Sequence, residues 1–257
     1  MSENGTDELS RLRDECSWLL TAYKGDGTLE RALMGLYYSV KATRLAPRIV
    51  EVLLDGDPRE VAVSGRGDEA CYVAETMVRS IHSAGDLLAQ VVHVCLVDPS
   101  MSERAVSLPN VTQRLQQQIE QLKGTPAQLM ASVHAELTAL LGSSDYQYVS
   151  DFTNTAKHRD YIDRSLVLGD KDCGIAFGAF TKDGRQYPER SFAEVRVAAE
   201  SIRDHCVKVI VMLEQQRMYD RTIGNGGTLV QDYLSVTATP SITLAGQFSQ
   251  PTKKPLK

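Results

Sequence analysis

Polar, cationic and hydroxyl side chains are crowded into residues 150–161, which read Ser-Asp-Phe-Thr-Asn-Thr-Ala-Lys-His-Arg-Asp-Tyr. On a helix, Asn154, Lys157, His158 and Tyr161 fall at i, i+3, i+4 and i+7 and share one face, while Arg159 points about a quarter turn away. Three adjacent cationic or protonatable groups repel one another unless a carboxylate, a phosphate or water receives them. The segment therefore predicts an anion-binding site, with Asn154, Lys157, Arg159 and Tyr161 as ligand-binding residues and His158 as a candidate catalytic residue.

The same charges also have a purely structural interpretation. Lys, His and Arg are favoured at the C-terminus of a helix, where they cap carbonyl groups and face the negative end of the helix dipole. That interpretation accounts for the charges but not for Asn154 and Tyr161 on the same stripe. The sequence leaves both interpretations open.

A second candidate site lies on a predicted helix of residues 68–97, where His82, Asp86 and His93 fall at i, i+4 and i+11. An Asp four residues after a His can fix the imidazole tautomer and raise its pKa, so His82 and Asp86 are further candidate catalytic residues. Each can equally be a half-buried polar residue whose hydrogen bonds the fold satisfies. His82 and His93 lie about 16 Å apart along the helix, too far to share a metal. We predict neither a metal nor a cofactor.

Helical periodicity dominates the chain up to Tyr161 and then gives way to a strand pattern. The predicted helices span residues 7–23, 28–54 (with a kink or restart at Pro47) and 68–97, and three more begin near Asn110, Thr125 and Ser144. Short apolar runs separated by Gly169-Asp170 and Asp183-Gly184 then predict antiparallel strands, because an Asp-Gly pair supplies the positive φ of a tight hairpin turn. A capping box at Ser191 and Glu194 predicts the start of a last long helix.

These elements predict a mainly α fold: a bundle of about seven helices with a small antiparallel β-hairpin or three-stranded sheet before the last long helix. Residues 1–223 are expected to form a single domain with the β insertion at about 164–188, and residues 224–257 a flexible C-terminal tail. Neither the helix of residues 68–97 nor the one that begins at Ser144 can bury its apolar stripe alone, so we expect them to pack together. The strands should dock on the bundle through Phe177 or Phe180.

Composition limits the classes of function. The formal net charge of −5 argues against bulk electrostatic binding to nucleic acid or acidic membranes, but it is compatible with a local basic patch. No apolar run approaches the roughly 20 residues of a membrane helix, and the N-terminus carries no secretory signal. Five cysteines without a Cys-x-x-Cys pair indicate reduced thiols and a cytoplasmic location. We therefore expect no membrane; the partners that we expect are a protein or a second copy of the chain in a homo-oligomer, or RNA or a nucleotide bound at a local basic patch.

The order of these features resembles a group of uncharacterised bacterial helical proteins. The resemblance covers about Glu69 to Gln216 and rests on the Asn-x-x-Lys-His-Arg element that starts at Asn154, on the Asp-Gly-Arg turn that starts at Asp183, and on the closing capped helix. In architecture it is similar to the HEPN class of helical bundles, which is found in toxin–antitoxin and phage-defence proteins and includes many ribonucleases.

The cluster at Lys157, His158 and Arg159 predicts a binding or interaction component that recognises an anionic ligand, a nucleic acid or a partner. The resemblance adds a toxin–antitoxin or phage-defence setting and, as the alternative, an HEPN-like ribonuclease or another phosphodiester hydrolase. The class carries an Arg followed by four to six residues and then a His. Here Arg79 precedes His82 with two residues between them, and Arg196 precedes His205 with eight. The chain therefore departs from the ribonuclease pattern.

Overall fold

The structure, a computed structural model, describes residues 27–97, 101–121, 125–158, 162–170 and 172–224. In chain order the elements are α1 (Gly27–Leu54), α2 (Pro58–Val63), α3 (Arg66–Leu96), a 3-10 turn (Glu103–Ala105), α4 (Leu108–Gln121), α5 (Thr125–Gly142), α6 (Ser144–His158), β1 (Arg164–Leu168), β2 (Cys173–Phe177), β3 (Phe180–Lys182), β4 (Arg185–Tyr187), β5 (Arg190–Ser191) and α7 (Phe192–Gly224). The predicted class, a mainly helical chain with small antiparallel strands before the last helix, is confirmed. The predicted helix of residues 7–23 and nearly all of the predicted tail lie outside the described residues.

Backbone contacts divide the chain into a unit Met1–Arg217 and a unit Met218–Lys257. All the described elements up to the C-terminal turns of α7 belong to the first unit. In the second unit only the last residues of α7 are described. None of the described helices is both long and apolar enough to cross a membrane.

Helix α3 lies at the centre of the bundle and contacts α1, α2, α4, α6 and β1. Its predicted apolar stripe is buried at Ala70, Ala74, Met77, Ile81, Leu88 and Val91. One helix can touch this many neighbours because small residues alternate with large ones along it, which lets other helices approach closely. The elements that carry the predicted site residues are therefore positioned by α3.

Local capping sets several helix starts. Ser191 and Glu194 form the predicted capping box at α7: the Ser191 amide donates to Glu194 Oε2 at 2.7 Å, and the Glu194 amide donates to Ser191 Oγ at 3.3 Å. At α6 the cap is Ser143, whose Oγ accepts from the Tyr146 amide at 3.1 Å. Helix α4 begins at Leu108, two residues before the predicted Asn110, whose side-chain amide instead donates to the Ala105 carbonyl at 2.8 Å.

Of the kink or restart predicted at Pro47, the restart does not occur. Helix α1 continues through Pro47 as one element of 28 residues, with Pro47 buried on its inner side. Proline removes one amide from the helix interior and displaces the carbonyl four residues before it, here that of Thr43. Burial of Leu36, Val40 and Val50 along the same side of α1 outweighs that local cost.

The strands form two small antiparallel sheets. One has the order β1-β2-β5, with Leu166 opposite Ile175, and the other is the hairpin β3-β4, with Phe180 opposite Tyr187. The predicted Asp183-Gly184 turn is present, with positive φ angles of 50° and 81°.

The predicted docking of the strands on the bundle is also confirmed. The Phe152 ring of α6 packs edge-on against Phe177 and Phe180, with centroids 5.5 and 5.8 Å away. Both sheets therefore contact α6.

Candidate functional site

The predicted packing of α3 against α6 is confirmed, and it is closest at Gly85. A methyl group added to Gly85 would lie 2.7 Å from the hydroxyl oxygen of Tyr146, so only glycine lets this ring rest on the α3 backbone. Burial raises the pKa of the Tyr146 hydroxyl above its ordinary value, with smaller contributions from the Asp86 carboxylate and from Cys206 of α7. Tyr146 is thus held against α3 beside the candidate carboxylate Asp86.

His82 lies one turn before Asp86 on α3 and is buried. Its Nδ1 has no hydrogen-bond partner within the described residues. Burial lowers the pKa of the imidazole below its ordinary value; the Asp86 carboxylate opposes this effect, and the positive charge of Lys157 reinforces it. His82 is therefore a neutral imidazole at neutral pH, and Lys157 of α6 lies close enough for its charge to act on it.

Asp86 and Lys157 are both exposed. Within the part of the chain that the structure describes, neither makes an ion pair or a side-chain hydrogen bond, with each other or with His82. The Asp86 carboxylate therefore does not hold the His82 ring by the hydrogen bond that an acid/base pair uses. His82 is thus a buried neutral ring near Asp86 and Lys157, two opposite charges that have no partner among the described residues.

The remaining predicted residues are only partly described. Asn154 is half-buried, and its side-chain amide donates to Ser150 Oγ at 3.4 Å, along its own helix. His158 is the last residue of α6, and its side chain lies outside the described part; Arg159 and Tyr161 lie outside it altogether. Their predicted role in binding stays a prediction.

Sequence reasoning missed a buried carboxylate that ties the hairpin to α6. Asp151 is 7 % exposed; it accepts a hydrogen bond from the Tyr187 hydroxyl at 2.6 Å and pairs with the Arg185 guanidinium at 3.0 Å. Burial, then the hydrogen bond to Asp151, raises the pKa of Tyr187 to about 12. Asp151 is thus neutralised by β4 and does not pair with Lys157. No local sequence signal predicts the contact between Asp151 and Tyr187, which are 36 positions apart.

An aromatic cluster surrounds this carboxylate. Tyr148 lies 5.6 Å from Phe180 and 5.7 Å from Tyr187, and the latter two rings stack at 4.7 Å. The Arg190 guanidinium sits over the Tyr148 ring, 4.0 Å from its centroid. Burial raises the pKa of Tyr148 to about 12, and its hydroxyl has no partner in the described ranges. These contacts hold the hairpin on α6.

Two further polar groups join α5 to α7. His205 Nδ1 lies 2.6 Å from Glu136 Oε1, and Lys208 Nζ lies 3.3 Å from the same oxygen. The neighbouring Cys206 is fully buried, and burial raises the pKa of its thiol to about 12. Such a thiol is not a nucleophile. These polar contacts connect α5 to α7 and are structural.

Nothing else among the described residues forms a better site. No group of three His, Cys, Asp or Glu side chains there is arranged to hold a metal ion. A shallow cavity of about 430 Å³ over the hairpin is lined by Ala179, Phe180, Thr181, Gln186, Tyr187 and Pro188, none of them a predicted site residue and none charged. Comparison of the chain with protein-family models, with curated proteins and with solved structures finds no match.

Proposed function

We propose that this chain is a binding component that recognises an anionic ligand at the junction of α3 and α6. The carrying observation is the arrangement of His82, Asp86 and Lys157: a buried neutral imidazole whose pKa responds to an exposed carboxylate and an exposed ammonium group that make no ion pair with each other. Among the described residues neither charge has a partner, so each can bind a group from outside the chain.

The three groups differ in the part of a ligand that they suit. The Lys157 ammonium suits a phosphate or carboxylate through charge-assisted hydrogen bonds. Asp86 suits a hydroxyl or amino donor, and the neutral His82 ring can donate one hydrogen bond or accept one. A ligand that carries an anion beside hydroxyl donors, such as a nucleotide or an RNA segment, fits this set. The predicted residues His158 and Arg159 would add positive charge to that of Lys157.

A phosphodiester hydrolase is the second candidate. The specific observation in its favour is the lowered pKa of His82, which keeps the ring in the form that a general base needs. It ranks second because Asp86 does not orient His82 by a hydrogen bond and because the Arg-to-His spacing departs from the HEPN pattern. A toxin–antitoxin or phage-defence setting rests on the resemblance alone.

Titration of the full chain with nucleotides and short RNAs, by calorimetry or fluorescence anisotropy, tests the proposal. We expect Lys157→Ala to weaken binding about tenfold or more, because a charge-assisted hydrogen bond contributes about 1.5–3 kcal/mol. The matched control is Lys208→Ala, which removes an exposed lysine from α7 and should bind as the wild type does. Equal affinities for the wild type and Lys157→Ala would exclude this site.

A cleavage assay on the same RNAs separates the two candidates. Cleavage that His82→Gln abolishes while affinity is kept would establish the hydrolase, and binding without cleavage the binding component.

A further inference from the structure

Helix α1 is apolar on two opposite sides, although only one of them faces the bundle. Leu29, Leu33, Leu36, Val40 and Val50 are buried on the inner side. On the outer side, five large apolar side chains are 42–72 % exposed: Met34, Tyr38, Leu45, Ile49 and Val52. We call these five residues the outer stripe. A surface helix ordinarily carries polar residues there, so the outer stripe requires its own explanation.

The outer stripe is narrow. At about 100° of rotation per residue, its members lie within about 60° of one another around the helix axis, and at 1.5 Å per residue they extend over about 27 Å. Scattered exposed apolar residues are normal on any protein, but a narrow line of them along one helix is typical of a helix–helix contact.

The members of the outer stripe are placed nearly symmetrically about the middle of α1. Tyr38 and Ile49 lie at equal distances from a point between residues 43 and 44, and Met34 and Val52 are symmetric about that point to within one residue. An identical helix running antiparallel therefore places residue 34 opposite 53, residue 38 opposite 49, and the small Ala42 opposite Leu45. Such self-complementarity is what a two-fold interface between identical chains demands, because each surface must fit itself.

We propose that two copies of this chain associate through the outer stripes of α1, antiparallel and about a two-fold axis between residues 43 and 44. This surface is separate from the site at α3 and α6, so the inference is independent of the proposed function. The stripe is one helix wide and lies at the small end of stable interfaces, which bury about 800 Å² on each partner. The dimer is therefore expected to form in a concentration-dependent way.

Charges at the two ends fit the same register. Arg31 lies on the line of the outer stripe near its start, and Asp55 follows the last residue of α1. Neither makes an ion pair within the described ranges of its own chain. The antiparallel register brings Arg31 of one copy within one residue of Asp55 of the other, at both ends of the interface. Midway, the Lys41 ammonium lies over the Tyr37 ring of its own helix, 5.8 Å from the centroid.

Sedimentation velocity of the full chain over a concentration series tests the interface. We expect the wild type to move from monomer to dimer and to stop there, and Leu45→Glu and Ile49→Lys each to stay monomeric. The matched control is Val197→Glu, which charges an apolar residue on α7 that is also exposed (60 %) and should dimerise as the wild type does. Circular dichroism confirms that each variant is folded. A wild type that is monomeric throughout, or a dimer unaffected by both stripe variants, overturns the proposal.

A charge reversal tests the antiparallel register. Arg31→Glu is expected to raise the dimer dissociation constant several-fold, because it sets a carboxylate against Asp55 of the other copy. Combining Arg31→Glu with Asp55→Arg in one chain should restore the affinity of the wild type. A double variant no tighter than the single one overturns this register.

Discussion

The buried ring of His82 makes the free energy of unfolding depend on pH at the scale of one residue. Burial lowers its pKa in the folded chain below the ordinary value of 6.5, so below that pH the unfolded chain takes up a proton that the folded chain resists. Stability is therefore expected to fall as the pH decreases through and below 6.5. In His82→Gln the same decrease should be smaller. Urea unfolding at a series of pH values measures it, with His134→Gln as the control that removes a different histidine. Parallel curves for the wild type and His82→Gln would contradict this account.

The Asp151–Tyr187 hydrogen bond gives a second prediction at this scale. Tyr187→Phe removes the hydroxyl that lies 2.6 Å from Asp151 Oδ2 and leaves that buried oxygen with Arg185 as its remaining partner in the described ranges. We expect a loss of about 1–3 kcal/mol in the free energy of unfolding. Tyr72→Phe, at a tyrosine that is 68 % exposed, should change it by less than about 0.5 kcal/mol. Denaturant titration compares the two, and equal small changes would show that the bond contributes nothing.

The sequence predicted the relative positions of site residues only where those residues lie on the same helix. Spacing on α3 placed His82 beside Asp86, and spacing on α6 placed Lys157 on one face with Asn154. Whether these faces meet depends on a close approach at Gly85, which the sequence shows only as a glycine within an otherwise good helix. Asp151 was not recognised because its partners lie on strands far along the chain.

At the scale of elements, the approach of α6 to α3 predicts an unusual response to a helix-favouring substitution. Alanine is better than glycine within a helix by about 1 kcal/mol. At Gly85, however, the added methyl group would meet buried Tyr146 at 2.7 Å, so we expect Gly85→Ala to destabilise the chain by about 1–3 kcal/mol. Gly142→Ala, where no atom lies within 4 Å of the added carbon, is the control and should be neutral or stabilising. The melting temperatures of the two variants measure these changes in stability. A Gly85→Ala chain as stable as the wild type would refute the close contact.

The helices were more predictable than the strands. Helical periodicity runs over many residues, and the capping box at Ser191 gives a local start signal that the structure reproduces atom by atom. Strands of two to five residues carry too few alternations to show which strand pairs with which. The sequence therefore predicted the hairpin turn at Asp183-Gly184 but not that the strands divide into two sheets.

For the molecule as a whole, one continuous apolar core includes both the helices and the strands, from Leu88 of α3 to Phe177 of β2. We therefore expect the strands to unfold together with the bundle. Phe177→Ala should lower the free energy of unfolding by about 3–5 kcal/mol, and Leu88→Ala by about 2–5 kcal/mol, each within one transition. Far-ultraviolet and near-ultraviolet circular dichroism should give coincident melting curves. An early transition confined to the near-ultraviolet signal of Phe177→Ala would mean that the strands melt separately.

Because Cys206 is buried, the chemical modification of its thiol reports on rare openings of the helical bundle. A thiol with a pKa of about 12 is almost never a thiolate, so an alkylating reagent modifies it only in molecules whose bundle has opened. Its labelling rate under native conditions then measures the population of those open molecules. Cys173, half-buried on β2, reports on the strands in the same experiment. A nucleotide bound at Lys157, as proposed, would favour closed molecules and slow the modification of Cys206 in proportion to its occupancy, so mass spectrometry of the alkylated chain would detect binding without a labelled nucleotide.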